Sequence, residues 1–255
     1  MAAPSSTALL LWMLSLPRYA RVAQRAMKAQ RVLRLQGCRT LRTMTTRPSL
    51  TERRKAETER EIARHAAALF SAHGAAGVTA EGIAKAAGVS LRTFYRYFRT
   101  KEEAVTPLLT GGVHQWLADL AAAPARLSVT EALERAVRSA LAPEGPHAAF
   151  QAEALESTRG LLRAVPGDPA LRSVWLRVHA ETEEALVPVL ERLARPGTDP
   201  LELRMTAAAA NAAMRIAMET WATTQAEPGD PERGPAAIAV RCLRGLTAGL
   251  RTPRA

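Results

Sequence analysis

Residues 78–105 read VTAEGIAKAAGVSLRTFYRYFRTKEEAV, the most informative pattern in this chain of 255 residues. Thr79 and Ser90 are favoured N-cap residues, and each precedes a short segment with apolar side chains at helical spacing. Gly88 lies between the two segments and allows a tight turn. A hydrophobic residue before each cap can form a staple with the helix that follows. The pattern predicts two short helices joined by a turn, which is typical of a helix-turn-helix.

The helical period divides the side chains of this motif into two faces. Arg92, near the start of the second helix, can donate two hydrogen bonds to guanine, and Leu91 can contact a thymine methyl group. We therefore expect Leu91 and Arg92 to contact DNA bases. The residues expected in a small core are Ile83, Ala84, Ala87, Val89, Phe94 and Phe98. The residues expected to face outward are Leu91, Arg92, Tyr95 and Arg96.

A second group of polar side chains in this region suits the DNA backbone. Hydroxyl and ammonium groups can donate to phosphate oxygens without reading sequence, and free N–H groups at a helix N-terminus attract anions. The alternative is that the aromatic residues form an ordinary core cluster. We accept that alternative for Phe94 and Phe98 only, because a helix this close to a glycine break cannot bury four ring positions. The expected backbone contacts are Thr79, Thr93, Tyr95, Tyr97 and Lys101.

Helical patterns continue on both sides of this motif. Ser49 and Glu52 form a predicted capping box before a longer first helix, and Thr100 with Glu103 predicts another helix directly after the motif. Ser128 with Glu131 and Asp168 with Pro169 start later helices. Only 4% of the residues are aromatic, and no alternating strand pattern occurs. The sequence predicts an all-α protein with about nine helices.

Charge is distributed unevenly along the chain. Residues 1–43 carry a net +8, residues 44–100 carry +5, and residues 101–255 carry −2. A polyanion-binding function therefore belongs to the first hundred residues. We predict three parts: a basic leader (1–43), a helix-turn-helix DNA-binding domain (44–100) and a helical ligand-binding and dimerisation domain (101–255).

The leader admits several interpretations. Its apolar run at residues 7–16 is too short to span a bilayer, and its arginines follow that run, whereas in a secretory signal they would precede it. It could be a membrane-surface or transit segment, or a basic arm on DNA. The interpretation we favour is that it is disordered, or lies upstream of the true start at Met44.

The run Val78–Val105 resembles the DNA-binding signature of the TetR family of bacterial repressors. The likeness rests on the Ala-Gly-Val turn, the Thr-Phe-Tyr core, the aromatic pair Tyr97–Phe98 and the Lys-Glu-Glu that opens the next helix. It extends over residues 51 to about 105. The resemblance implies a three-helix head, a larger helical body and a homodimer on a palindromic operator. It also implies that the positions of Leu91, Arg92, Thr93, Tyr95, Tyr97 and Lys101 face DNA.

The eighth predicted helix, near residues 200–224, is apolar on nearly all sides. This indicates burial against its own core and against something further, for which a partner helix is the simplest candidate. The resemblance implies that the last two helices pair with those of a second subunit in a four-helix bundle. The alternative is a central core helix of a monomer.

Bulky and polar groups in the body predict a small-molecule pocket. The stretch 171–221 also resembles mycofactocin-type regulators within the family, a likeness that implies an acyl-CoA-like effector. Arg159, Arg163 or Arg215 would then meet its phosphate or carboxylate, unless they are surface charges. The pocket residues expected are Trp116, Phe150, Trp175, His179, Asn211, Met214, Arg215, Met218 and Trp221.

Enzymatic motifs do not occur in the sequence. None of the five histidines pairs with a glutamate in a metal motif, and no phosphate loop or nucleophile motif is present. We expect no catalysis, no metal and no cofactor.

The two cysteines suit a reducing compartment, so we expect a cytoplasmic protein. The predicted function is ligand-responsive transcriptional regulation by a repressor, and the alternative is a membrane-surface or partner-binding helical protein that acts through the leader.

Overall fold

The computed structural model describes residues 49–248. The predictions for the leader therefore lie outside the described residues. Within this range all regular structure is helical, as predicted, and it comprises nine α-helices and three short 3₁₀ turns. None of these helices combines the length and the apolar composition needed to cross a membrane.

The first three helices form a unit that we call the head, and the other six form the body. The head helices are α1 (Leu50–His73), α2 (Ala80–Ala86) and α3 (Leu91–Tyr97). The body helices are α4 (Thr106–Ala121), α5 (Val129–Leu141), α6 (Ala148–Ala164), α7 (Pro169–Leu193), α8 (Pro200–Ala222) and α9 (Pro235–Thr247). The 3₁₀ turns are Glu102–Val105, Gly145–His147 and Val165–Gly167.

Most of the predicted helix starts are confirmed by their hydrogen bonds. Ser49 with Glu52 and Ser128 with Glu131 form complete capping boxes at α1 and α5. The side chain of Asp168 accepts from the backbone N–H of Leu171 at the start of α7.

The start of the fourth helix differs from the prediction. The hydroxyl of Thr100 accepts from the backbone N–H of Glu103, but the Glu103 carboxylate accepts from Arg99 and not from Thr100. A 3₁₀ turn follows, and α4 begins only at Thr106. Pro107 explains the delay, because it has no N–H to donate to the carbonyl four residues earlier.

One hydrophobic cluster runs from Ile62 in α1 to Leu243 in α9 and so includes both head and body. α1 packs along α6, and α8 packs between α7 and α9. Because α1 shares its core with the body, a change in the body can reach the head through packed side chains. The domain boundary after residue 100 stays a prediction.

Candidate functional site

The second helix of the predicted motif, α3, presents one polar face. Leu91, Arg92 and Arg96 are exposed, and Tyr95 is 54% exposed. Phe94 and Phe98 are buried beneath them, with their ring centroids 5.6 Å apart. The predicted division into faces is therefore confirmed for α3.

The core under α3 is smaller than the predicted one. Ile83 and Ala84 are buried with the two phenylalanines. Ala87 and Val89 are half-buried and pack against this core from the turn.

Tyr97, one of the predicted backbone contacts, forms a pair with Arg96, which the sequence analysis did not include among the DNA contacts. The Arg96 guanidinium donates to the Tyr97 hydroxyl at 3.2 Å, and its central carbon lies 4.9 Å from the centroid of the ring. Tyr97 is half-buried and packs against the core, and Arg96 lies over its ring. Arg96 thereby orients a hydroxyl that we predict to meet phosphate.

Two of the predicted phosphate contacts also stabilise helix starts. The Thr79 hydroxyl oxygen accepts from the backbone N–H of Gly82 at 3.0 Å. Thr93 donates its backbone N–H to Ser90, and the two hydroxyl oxygens are 2.9 Å apart. A hydroxyl that accepts at a cap keeps its own hydrogen, so Thr79 can still donate to a phosphate oxygen.

The structure gives Lys101 a role that the sequence analysis did not foresee. Its ammonium donates to the backbone carbonyls of Ala75 at 2.5 Å and Val78 at 2.7 Å. Lys101 therefore ties the segment between α1 and α2 to the start of the body. The ammonium also lies 3.7 Å from a carboxylate oxygen of Glu102, so the predicted phosphate contact would have to share it with that ion pair. No sequence signal marks this role, because both acceptors are backbone carbonyls.

In the body, six side chains of α7 and α8 form two hydrogen-bonded trios that meet where the Trp175 ring contacts the His179 ring, and we call the six together the α7–α8 polar cluster. Its members are Trp175, His179 and Glu183 of α7, with Asn211, Arg215 and Glu219 of α8. Trp175 donates its indole N–H to Glu219 at 2.7 Å, and Arg215 donates to the same carboxylate at 3.0 Å. The structure thus brings together four of the predicted pocket residues, which are Trp175, His179, Asn211 and Arg215.

Glu183 and Glu219 were missed by the sequence analysis, although a signal for them exists. Each helix carries its three cluster residues at intervals of four, which places them on one helical face. A repeated polar position on an otherwise apolar face would have indicated the cluster.

His179 is the most buried ionisable group of the cluster, with 5% of its surface exposed. Burial lowers its pKa below the ordinary value of a histidine, and Arg215 lowers it further. Asn211 and Glu219 oppose these effects. Nδ1 lies 2.8 Å from Asn211 Oδ1, whereas Nε2 has no hydrogen-bond partner within the described part of the chain. The imidazole is therefore neutral near pH 7.

The remaining predicted pocket residues fall into two groups. Trp116, Met214, Met218 and Trp221 are buried in the core. Phe150 is 74% exposed on α6, so its side chain points to solvent, away from the core.

Arg159 and Arg163 bind backbone carbonyls near the end of α8. Arg159 is buried, donates to the carbonyl of Ala226 and stacks on Trp221 with its central carbon 3.8 Å from the ring. Arg163 donates to the carbonyls of Ala222 and Thr224. Both guanidiniums therefore stabilise the chain end of α8, a role that the sequence analysis did not consider.

Among residues 49–248, no group of histidine, cysteine or acidic side chains could hold a metal ion.

Comparison with known proteins places this geometry in a family. Residues 62–105 match the bacterial regulatory proteins of the tetR family. The HTH-type transcriptional regulator TcmR of Streptomyces glaucescens is 30% identical over 179 residues, which cover 68% of this chain and 77% of TcmR.

One solved structure supports the fold, and a second is a weaker match. A TetR-family transcriptional regulator from Rhodococcus sp. superposes with a TM-score of 0.50 at 17% identity, over 76% of this chain and 98% of that one. NalD of Pseudomonas aeruginosa, the secondary repressor of the MexAB-OprM multidrug efflux pump, gives a TM-score of 0.49 at 22% identity, over 78% and 98% of the two chains. The likeness to TcmR agrees with the helical body and with the exposed polar face of α3 on its buried aromatic core. The chain therefore belongs to the TetR family and is a DNA-binding transcriptional regulator.

Proposed function

We propose that the protein is a homodimeric repressor that binds a palindromic operator and is released by a small-molecule effector. The observation that carries the proposal is the exposed face of α3, formed by Leu91, Arg92 and Tyr95. The opposite face of the helix is anchored in the core by the buried rings of Phe94 and Phe98. A rigid helix with such a face suits the major groove. We place the protein in the cytoplasm, where its operator would be.

In this proposal, each candidate side chain has one role on DNA. Leu91 and Arg92 contact bases, because they lie at the N-terminal end of α3, the part of a recognition helix that reaches base edges. Backbone phosphates are contacted by Thr79, Thr93, Tyr95, Tyr97 and Lys101. Arg96 supports Tyr97, and its charge adds to the attraction of the duplex.

Dimerisation is proposed through α8. Its residues that are not buried include an apolar stripe at helical spacing, formed by Leu201, Met205, Ala208, Ala209, Ala212 and Ile216. A second copy related by twofold symmetry would cover this stripe, and the alanines would let two backbones approach closely. A dimer presents two copies of α3, which a palindromic operator requires.

The effector is proposed to act in the body, where it changes the position of the heads. Glu103, in the turn that precedes α4, pairs with Arg177 of α7 at 3.4 Å. The same turn follows Lys101, which holds the segment before α2. A ligand that shifts α7 would therefore move the head as a rigid body. Since half-sites are about 34 Å apart or a multiple of that spacing, a shift of a few ångströms disrupts simultaneous binding of both.

Selection of binding sites from a random duplex library, followed by footprinting, tests this function. We expect an inverted repeat, protected by two protomers. Two chains should be compared, the full one and one that starts at Met44, because the competing function resides in residues 1–43. If the shorter chain binds no duplex while the full chain binds anionic vesicles, the membrane-surface alternative replaces our proposal.

A further inference from the structure

The unpaired ring nitrogen of His179 is a notable feature of the body. His179 is 5% exposed, and its Nε2 makes no hydrogen bond with any of the described residues. Buried polar groups are nearly always paired in native proteins, because an unmet group loses its water without replacement. Since no group within residues 49–248 pairs with Nε2, a water molecule or a bound ligand is the partner we consider.

The hydrogen bonds on the other side of the ring determine what Nε2 can accept. Nδ1 lies 2.8 Å from Asn211 Oδ1, and Asn211 Nδ2 donates to a carboxylate oxygen of Glu183 at 3.4 Å. Reversing the Asn211 amide would direct its oxygen at the Glu183 carboxylate, and two acceptors would then face each other. Glu183 therefore fixes the amide with its oxygen toward His179. Nδ1 must then carry the hydrogen and donate to Asn211. In a neutral imidazole this leaves Nε2 as a lone-pair acceptor.

The two N–H-bearing side chains that act on His179, Trp175 and Arg215, are both bonded to Glu219. The Trp175 ring contacts the imidazole edge-on at a centroid distance of 4.1 Å, but its single N–H is bonded to Glu219. Arg215 is also paired with Glu219. Burial and the Arg215 charge both disfavour an imidazolium, as the lowered pKa of His179 reflects.

We propose that His179 Nε2 accepts a hydrogen bond from the effector, and that the effector is an uncharged apolar molecule carrying a hydroxyl or N–H group. The inference rests on the proposed effector-responsive function and specifies the chemical class of its ligand. A lone pair repels carboxylate and phosphate oxygens, so an acyl-CoA-like effector would have to keep its anionic groups away from His179. The apolar part of the molecule would pack beside Met214 and Met218, which follow Asn211 on α8.

Matched probes that differ in one donor test this proposal. We would measure binding of 2-naphthol against 2-fluoronaphthalene, 4-phenylphenol against 4-fluorobiphenyl, and 1-dodecanol against 1-fluorododecane, with tryptophan fluorescence of the full chain. At least one hydroxyl probe should bind about tenfold more tightly than its fluorinated partner, the effect of one buried hydrogen bond. If no pair is discriminated, the acceptor holds water only and the proposal is overturned.

Three variants assign the discrimination to His179. His179→Phe should abolish the preference for the hydroxyl probe, while His179→Gln, which keeps an acceptor, should retain part of it. His114→Phe is the matched control, because His114 is exposed on α4. A preference that persists in His179→Phe would overturn the proposal. The ¹⁵N resonance of Nε2 is a second measurement, and it should shift with the hydroxyl probe but not with its fluorinated partner.

Operator binding distinguishes a failure of the inference about the effector from a failure of the proposed function. If the wild-type chain binds an inverted repeat but discriminates no probe pair, only the inference about the effector fails. If it binds no operator at all, the proposed function fails, whatever the probes do.

Discussion

Gly160 of α6 lies so close to Ser71 of α1 that a Cβ at position 160 would collide with the Ser71 hydroxyl oxygen and come within 2.9 Å of its Cβ. Position 160 therefore has no room for a methyl group while the two helices keep their separation. Since α1 belongs to the head and α6 to the body, this contact joins the proposed DNA-binding and effector-binding parts. We infer that the spacing of α1 and α6 is one route by which the body positions the head.

The first prediction concerns this contact. Gly160→Ala should lower the free energy of unfolding by about 1 to 2 kcal/mol, because the cost of overpacking exceeds the gain of up to about 1 kcal/mol in helix propensity. Gly111→Ala in α4 is the control, since nothing lies within 4 Å of a Cβ there, and it should be stabilising. Urea denaturation measures both. Equal stabilisation by the two variants would mean that α1 and α6 separate without cost.

The second prediction concerns sequence reading by Arg92. Arg92→Ala should relax base preference at one position in each half-site, with a loss of about 1 to 3 kcal/mol for the preferred base. Binding to a set of operators with single substitutions measures this. Tyr95→Phe should instead weaken binding to all sequences alike, because it removes a phosphate contact. Uniform weakening by Arg92→Ala would reassign Arg92 to the DNA backbone.

The third prediction separates the two roles of Lys101. Lys101→Met removes hydrogen bonds to the carbonyls of Ala75 and Val78, so it should lower the free energy of unfolding by about 2 kcal/mol even without DNA. Lys85→Met, at an exposed lysine of α2, should leave stability nearly unchanged. Thermal unfolding without DNA distinguishes them. If Lys101→Met alters only the salt dependence of operator binding, then Lys101 acts on phosphate alone.

The fourth prediction tests the dimer stripe of α8. Met205 is 46% exposed. In a twofold dimer each protomer contributes its own residue 205 to the interface, so a charge at this position would be buried in both protomers. Met205→Glu should weaken dimerisation by about 100-fold, or about 3 kcal/mol, as measured by sedimentation. Leu176→Glu is the matched control, because Leu176 is 44% exposed but lies on α7, outside the stripe. A variant Met205→Glu that stays dimeric would locate the interface elsewhere.

The fifth prediction is a pH dependence at the start of α5. Hydrogen bonds from the Ser128 hydroxyl and backbone N–H lower the pKa of Glu131 below its ordinary value of 4.5. The stability that the carboxylate contributes is therefore complete above that value and is lost as the pH falls through the lowered pKa.

Ser128→Ala should cost about 1 kcal/mol near neutral pH, and this cost should shrink in acid as Glu131 protonates. Ser90→Ala is the control, because Ser90 caps α3 through Thr93 and no carboxylate takes part. Its cost should not change between neutral and acid pH. Chemical denaturation at several pH values compares the two variants, and parallel curves would exclude the carboxylate as the source.

The head was predictable because its signals are local. Thr79, Ser90 and Gly88 act within four residues of their own position, and α3 separates its faces by helical period alone. The same holds for the capping box of Ser128. The start of α4 differs from the sequence prediction because the Thr100–Glu103 pattern does not include the effect of Pro107, which has no N–H to donate.

The sequence alone therefore predicted the helix caps, the apolar spacing and the family signature. These features could be obtained from residue types because the interacting groups are a few positions apart. The contacts of Lys101, Arg159 and His179 required the folded molecule: their partners lie 23 to 67 residues away. Several of those partners are backbone carbonyls, which every residue has, so the residue type does not indicate which carbonyl will be bonded. The packing of the helices determines which carbonyl or amide each of these side chains contacts, and within residues 49–248 it gives Nε2 of His179 no hydrogen-bond partner.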